Sequence, residues 1–129
     1  MSWDGYTASM IGAGKGHGGI ILATNGAIMS QVGLTIQQAE ATTIANAIMS
    51  GNIADFQSKG LHIGGVKYTV TRADKDEGTV FGKAGAAGVS IYKGIKVILI
   101  GYFKDASVSA GQNSDAVYKL KDYMGQSGY

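Results

Sequence analysis

The most conspicuous chemical signal in the chain is glycine-rich: Gly14-Lys15-Gly16-His17-Gly18-Gly19 satisfies the literal pattern G-x-G-x-x-G. In a dinucleotide-binding turn those glycines follow a strand and open a helix, so that phosphate oxygens meet the free N–H groups of the helix start. The neighbours here predict the reverse order. Trp3, Tyr6 and Met10 recur at helical spacing before the glycines, and Ile20-Ile21-Leu22-Ala23 reads as a buried strand after them. Phosphate binding is therefore not expected, and the segment reads as a flexible connector. His17 and His62 stand apart, without the close spacing of a metal-binding pair. No G-x-S-x-G elbow occurs, and no carboxylate pair is placed for acid–base work. Asp74, Asp76 and Glu77 share a turn that lacks the ligand order of a calcium loop. Cysteine is absent, which excludes thiol catalysis, thiolate zinc sites and disulfides together. These residues point away from an enzyme, and no cofactor or metal is expected.

Aromatic and basic residues offer binding chemistry instead. Of eleven aromatic residues, Trp3, Tyr6, Tyr123 and Tyr129 lie at the chain ends. Each ring alone reads as packing for its own helix. As a group they support a second reading, because Val117, Leu120 and Met124 already supply a core stripe and leave Tyr123 for another face. Two terminal helices lying side by side would form an aromatic groove. Such grooves hold polyproline II ligands, whose stiffness lowers the ordering cost and whose rings pack on Trp and Tyr faces. Lys67, Arg72, Lys83, Lys93 and Lys96 fall in the later strands, either as an ordinary solvated face or as one patch for an acidic protein or phosphoinositide headgroups.

The elements that must position these residues follow from pattern. With 129 residues, 45% of them hydrophobic and 16% charged, the chain has the length and composition of one globular domain spanning 1–129. A net charge of +2 does not suggest a nucleic-acid partner. No apolar run reaches the roughly 18 residues of a membrane span, and no secretory leader is expected at the N-terminus. Twenty-one glycines with no proline indicate tight turns and closely packed strands. A first helix is predicted over roughly 2–11, with Ser2 as its N-cap. Asn25-Gly26 predicts a hairpin turn, with a returning strand from Ala27 to Val32. Thr35 and Gln38 read as a capping box opening a helix whose inner face is Ile36, Ala39, Ile44, Ala47 and Ile48, stopped by Gly51. A shorter helix, capped by Asn52, holds Ile53, Ala54 and Phe56. From His62 the period becomes two. Strands are predicted at Leu61–Ile63, Val66–Arg72, Thr79–Phe81, Gly88–Tyr92 and Lys96–Phe103, with an acidic turn from Asp74 to Gly78. A last helix is predicted from about Asn113, carrying Ala116, Val117, Leu120 and Met124. The sum is an α+β domain on one antiparallel sheet.

With these residues in place the chain resembles a profilin, of the compact protist and plant type, over nearly its whole length. The opening Ser2-Trp3-Asp4-Gly5-Tyr6 is similar to the family's S-W-x-x-Y, and Phe81-Gly82-Lys83-Ala84-Gly85-Ala86-Ala87-Gly88-Val89 to its G-K-K-G segment. The end, from Ala110-Gly111-Gln112 to Asp122-Tyr123-Met124 and Gln126-Ser127-Gly128-Tyr129, resembles P-G-Q…D-Y-L…Q-G-[FLY]. The resemblance implies a central antiparallel sheet with the terminal helices on one face and the inner helices on the other. It implies a cytoplasmic, cytoskeletal monomer that binds actin monomers, proline-rich segments of assembly factors and phosphatidylinositol phosphates. Such a protein caps the barbed face of the actin monomer and speeds nucleotide exchange on it. By position, the proline groove would use Trp3, Tyr6, Tyr123, Met124 and Tyr129, with Ile28 where a second tryptophan is expected, which implies weaker proline binding. The actin face would use Lys67, Arg72, Lys83, Ser109, Gly111, Gln112 and Asn113, and lipid headgroups Arg72, Lys83, Lys93 and Lys96. Three departures bear on the actin face: Ala110 for proline, Asp115 where basic or neutral residues are common, and one lysine fewer at Lys83-Ala84. The rival expectation is a dimeric scaffold or small-GTPase regulator of the roadblock or longin type, which would pair through a sheet edge or helix and expose no terminal aromatics.

Overall fold

Four consecutive apolar residues, Val97 to Ile100, need cover on both faces of their strand. The computed structural model, which describes residues 3–74 and 76–129, places them in the middle of a seven-stranded sheet. The elements in chain order are α1 (Asp4–Ala8), β1 (Gly18–Ala23), β2 (Ile28–Val32), α2 (Gln38–Ser50), α3 (Ala54–Lys59), β3 (Leu61–Ile63), β4 (Val66–Asp74), β5 (Thr79–Ala84), β6 (Ala87–Lys93), β7 (Val97–Phe103) and α4 (Ala110–Gln126). The strand order is β2-β1-β7-β6-β5-β4-β3, and every neighbouring pair is antiparallel.

Alternation divides the core. Ile20, Leu22, Ile98 and Ile100 point to one side, where Ile44 and Ile48 of α2 and Phe56 of α3 close over them. Ile21, Val97 and Leu99 point to the other, under Met10 and the Val117, Leu120 and Met124 stripe of α4. The α+β arrangement implied by the resemblance therefore holds, with terminal helices on one face and inner helices on the other. Helix α4 lies tight against the sheet because Gly101 has no side chain; a Cβ there would collide with Val117.

Several boundaries differ from expectation. Helix α4 begins at Ala110, not near Asn113, because the Ser109 hydroxyl accepts from the Gln112 N–H (3.1 Å) while the Gln112 side chain accepts from the Ser109 N–H (3.0 Å). Helix α2 begins at Gln38 rather than at Thr35. Gln31 Oε1 takes the Ile36 N–H (2.8 Å), and Glu40 rather than Gln38 supplies the reciprocal cap, accepting from the Gln37 N–H at 2.9 Å. The buried face of α2 is Ala41, Ile44, Ala45 and Ile48, and Ala39 is exposed. Asn52 does not cap α3, whose N-cap is Ile53, and donates instead to the Asp55 carboxylate. Helix α1 is shorter than predicted. Its expected cap, Ser2, and Lys75 of the acidic turn lie outside the described residues.

Glu40 has a second task. Its carboxylate also accepts from the Gly64 and Gly65 N–H groups (2.8 and 3.0 Å), tying the β3–β4 turn to α2. Burial pushes this carboxyl up, but the N–H groups of Gln37, Gly65 and Gly64, with His62 nearby, together hold it below its usual value.

Candidate functional site

Two surfaces meet on α4. The first is aromatic. Tyr129 meets Trp3 edge-on with ring centroids 5.1 Å apart, Trp3 meets Tyr6 at 5.9 Å, and Tyr6 meets Tyr123 at 6.2 Å. The four rings form one continuous strip along the seam of α1 and α4. Trp3, Tyr6 and Tyr129 are half-buried against the Met10–Leu120 cluster, and Tyr123 is 59% exposed. Helix α1 is fixed to the sheet by a chain that runs from the interior to the surface, in which buried Thr7 Oγ1 donates to Ser30 Oγ (2.8 Å) and Ser30 donates to the exposed Asp4 carboxylate. At the other end, the Lys96 N–H donates to the Tyr129 carbonyl (2.8 Å), and the Tyr129 N–H to that of Met124. Hydrogen bonds thus hold the strip at both ends, in addition to its own ring contacts.

Two residues expected in this groove are elsewhere. Met124 is 1% exposed and lies beneath the rings as core. Ile28 pairs with Leu22 and packs on the opposite side of the sheet, with the inner helices. The irregularity between Ile21 and Leu22 places Ser30, not Ile28, on the α1 side. Met29, between Ile28 and Ser30, is the unpaired residue at this irregularity and is 38% exposed.

The second surface is a groove of about 540 Å³ between β4, β5 and the first turn of α4, lined by Arg72, Phe81, Lys83, Ser109, Gly111 and Ser114 among others. It joins Arg72 and Lys83 to Ser109 and Gly111, four of the seven residues carried over for actin. The other three lie apart. Asn113 is fully buried, accepting from the Ser90 hydroxyl (2.8 Å) and donating to the Lys15 carbonyl (2.9 Å); it is a strut, not a contact residue. Gln112 is spent on the α4 cap and lines a different cleft. Lys67 pairs with His62 at the sheet edge, its stem lying over Gly60. The proposed lipid set also divides. Lys83 lies opposite Gly88 on β6, whereas Lys93 lies five residues further along that strand, about 17 Å away. Lys96 is beyond it in the β6–β7 turn.

Next to this groove is an aromatic cluster that the sequence reading missed. Phe81 and Tyr92 meet edge-on at 5.9 Å, Tyr118 of α4 approaches Tyr92 at 5.9 Å, and the Lys121 ammonium lies over both tyrosine rings. Tyr92 Oη and Ser114 Oγ are 2.6 Å apart, and Tyr118 is 51% exposed. The spacing of Tyr118 and Lys121 on one helix was the available signal; their strand partners were not visible locally.

The glycine-rich segment is fixed rather than flexible. The Gly12 N–H donates to Gly16, the His17 N–H to the Tyr102 carbonyl, and Asn113 holds Lys15. A helix precedes it and a strand follows, which is the wrong order for a phosphate turn. His17 Nδ1 accepts from the Lys104 N–H (2.9 Å), so Nε2 carries the proton toward the Ser107 hydroxyl, which donates to Asp105. The Ser107 hydroxyl and N–H, with His17 nearby, hold the Asp105 carboxyl below its usual value. Serine, histidine and aspartate meet here, but the imidazole donates to the serine and so cannot act as its base. The arrangement is a loop clasp.

An aromatic surface and a basic groove thus share one helix of this fold. The profilin family model matches residues 1–129. Profilin-1 of Entamoeba histolytica is 48% identical over 130 residues, covering all of both chains. The solved structure of Acanthamoeba castellanii profilin IB superposes with a TM-score of 0.89 at 30% identity, covering 99% of this chain and all of that one. A mouse profilin IIa structure, in complex with a double repeat from the FH1 domain of mDia1, shares the fold at a TM-score of 0.81 and 18% identity over both whole chains. The chain belongs to the profilin family, whose members are actin-binding regulators of the cytoskeleton and not enzymes. The roadblock or longin alternative is not favoured. Among the described residues, no helix is long and apolar enough to cross a membrane.

Proposed function

We propose that this chain acts as one domain that holds an actin monomer on the Arg72–Lys83–Ser109 groove and a proline-rich segment on the Trp3–Tyr6–Tyr123–Tyr129 strip. The observation that carries the reading is their placement. Ser109 at the start of α4 and Tyr123 near its end are fourteen residues apart, about 21 Å along the helix axis. Both partners can therefore be bound at once. Lys83 and Arg72 supply positive charge for an acidic partner, with Phe81, Tyr92 and Tyr118 as the apolar ground beside them. The profilin acts by stoichiometric binding: it covers the barbed face of the monomer, opens the actin cleft to nucleotide exchange and receives the delivery segment on the opposite end of α4. An anionic lipid headgroup would meet Arg72 and Lys83 within the same groove and so compete with actin, while Lys93 and Lys96 stand too far off to join. The reading also places the protein in the cytoplasm as a monomer, which a gel-filtration mass checks.

Two titrations test it. Trp3 is the only tryptophan, so its fluorescence reports the strip directly. A proline decamer should give a saturable change that Tyr6→Ala abolishes. Lys83→Glu should weaken actin binding at least tenfold and leave decamer binding intact. Equal loss of both ligands in Lys83→Glu would mean unfolding and would remove the support for a separate actin groove.

A further inference from the structure

The aromatic strip does not end at Tyr123. Tyr6 and Tyr123 also form one wall of a cleft of about 660 Å³ whose other walls are Gly14 and Lys15 of the glycine-rich loop and Gln112, Asp115 and Lys119 of α4. The cleft is continuous with the strip, since the same two rings line both, and Lys15, Asp115 and Lys119 add charge to a lining that also includes Ala13, Ala116 and Leu120. Lys119 is paired with Asp115 at 2.9 Å. Lys15 is exposed, and among the described residues it makes no ion pair. Its backbone is held in place: the Lys15 N–H donates to Gly12 (3.0 Å), and its carbonyl accepts from the buried Asn113 amide (2.9 Å). The loop thus presents one cation without an ion-pair partner, from a backbone already held in place, beside the last ring of the strip.

We propose that this cleft reads the residue flanking a proline run, and that it favours an acidic side chain there, with Lys15 as the specificity-determining residue. The proposal rests on the strip being a proline groove. A polyproline II peptide rises about 3.1 Å per residue and continues straight, so a run stacked from Tyr129 to Tyr123 delivers its next residues into the cleft. A carboxylate there meets Lys15, whereas a lysine meets like charge. One exposed ion pair is worth about twofold to fivefold in affinity.

The test uses Trp3 fluorescence with five peptides: a plain proline decamer, and decamers carrying two glutamates or two lysines at the N-terminal or at the C-terminal end. The expected result at low salt is that the glutamate peptide binds about twofold to fivefold tighter than the plain one at one of the two ends. That ratio should fall to one in Lys15→Gln, invert in favour of the lysine peptide in Lys15→Glu, and disappear in 1 M salt. A ratio of one in the unaltered protein, or an acidic preference that survives Lys15→Gln, overturns the proposal while leaving the proline groove standing. Failure of the plain decamer to bind at all would overturn the groove and the flank-reading cleft together.

Discussion

On the side of the sheet covered by α2 and α3, the residues under the helices are closed in: Ile44, Ile48 and Phe56 are at most 4% exposed, and Tyr68 is 1% exposed among them, with Ile28, Leu34 and Tyr102 half-buried at the margin. On the side covered by α1 and α4, the apolar cluster thins outward into Trp3, Tyr6, Tyr92 and Tyr129, all half-buried, and ends in the open rings of Tyr118 and Tyr123. The two faces share the same strands, so the difference lies in what covers them. A thirteen-residue helix and a second helix complete the first face. The five-residue α1 is too short to complete the second, and rings occupy the margin. Burial on the first face stabilises the fold; the second keeps partly wet aromatic surface, which the proposed proline-rich partner would cover.

Substitutions that separate the faces should break this contrast in a graded way. Ile44→Ala removes buried methylenes from the closed face and should cost about 2–5 kcal/mol in urea unfolding, weakening actin and decamer binding in proportion to the unfolded fraction. The pair Ile28→Trp and Met29→Trp sharpens the contrast across one peptide bond. Ile28→Trp forces an indole into the inner-helix core and should cost about 1–3 kcal/mol without tightening decamer binding. Met29→Trp, at the exposed bulge position, should leave stability within about 0.5 kcal/mol, and a several-fold tighter decamer would place that position beside the aromatic strip. The opposite outcome, with Ile28→Trp the tighter binder, would show that the strand presents its other side. Tyr123→Ala should hardly move the urea midpoint yet weaken the decamer about tenfold. The smallest effect is expected at Glu40→Gln, about 1 kcal/mol at neutral pH. Because the folded carboxyl lies below its ordinary 4.5, its contribution is present above that pH and is lost as pH falls through the lowered folded value. The stability gap between the two proteins should therefore close in acid. A gap that widened there would contradict the assigned N–H bonds.

Much of this was legible in the sequence where the signal is local. The hairpin at Asn25-Gly26, the stop at Gly51, the alternating β3 and β4 and the continuously apolar β7 follow from turn chemistry and residue pattern within a few residues. The terminal rings were legible as a group because their helices were. Longer-range facts were hidden. Asn113 reads as a surface polar residue, and only contact with Ser90 and Lys15, 23 and 98 residues away, makes it a buried strut. Ile28 was misplaced because the irregularity in the β1–β2 pairing leaves no mark in composition. The Phe81–Tyr92–Tyr118 cluster draws on three elements that no single window contains.

The seating of α4 on Gly101 has a consequence for how the two proposed ligands would influence each other. A helix packed flush against a strand has little room to slide or tilt, so occupancy at one end has no ready way to alter affinity at the other. The free energies of the two binding events should then simply add. What the helix supplies is a fixed spacer, and a partner caught at Tyr123 raises the local concentration of whatever is carried near Ser109 without changing its intrinsic affinity.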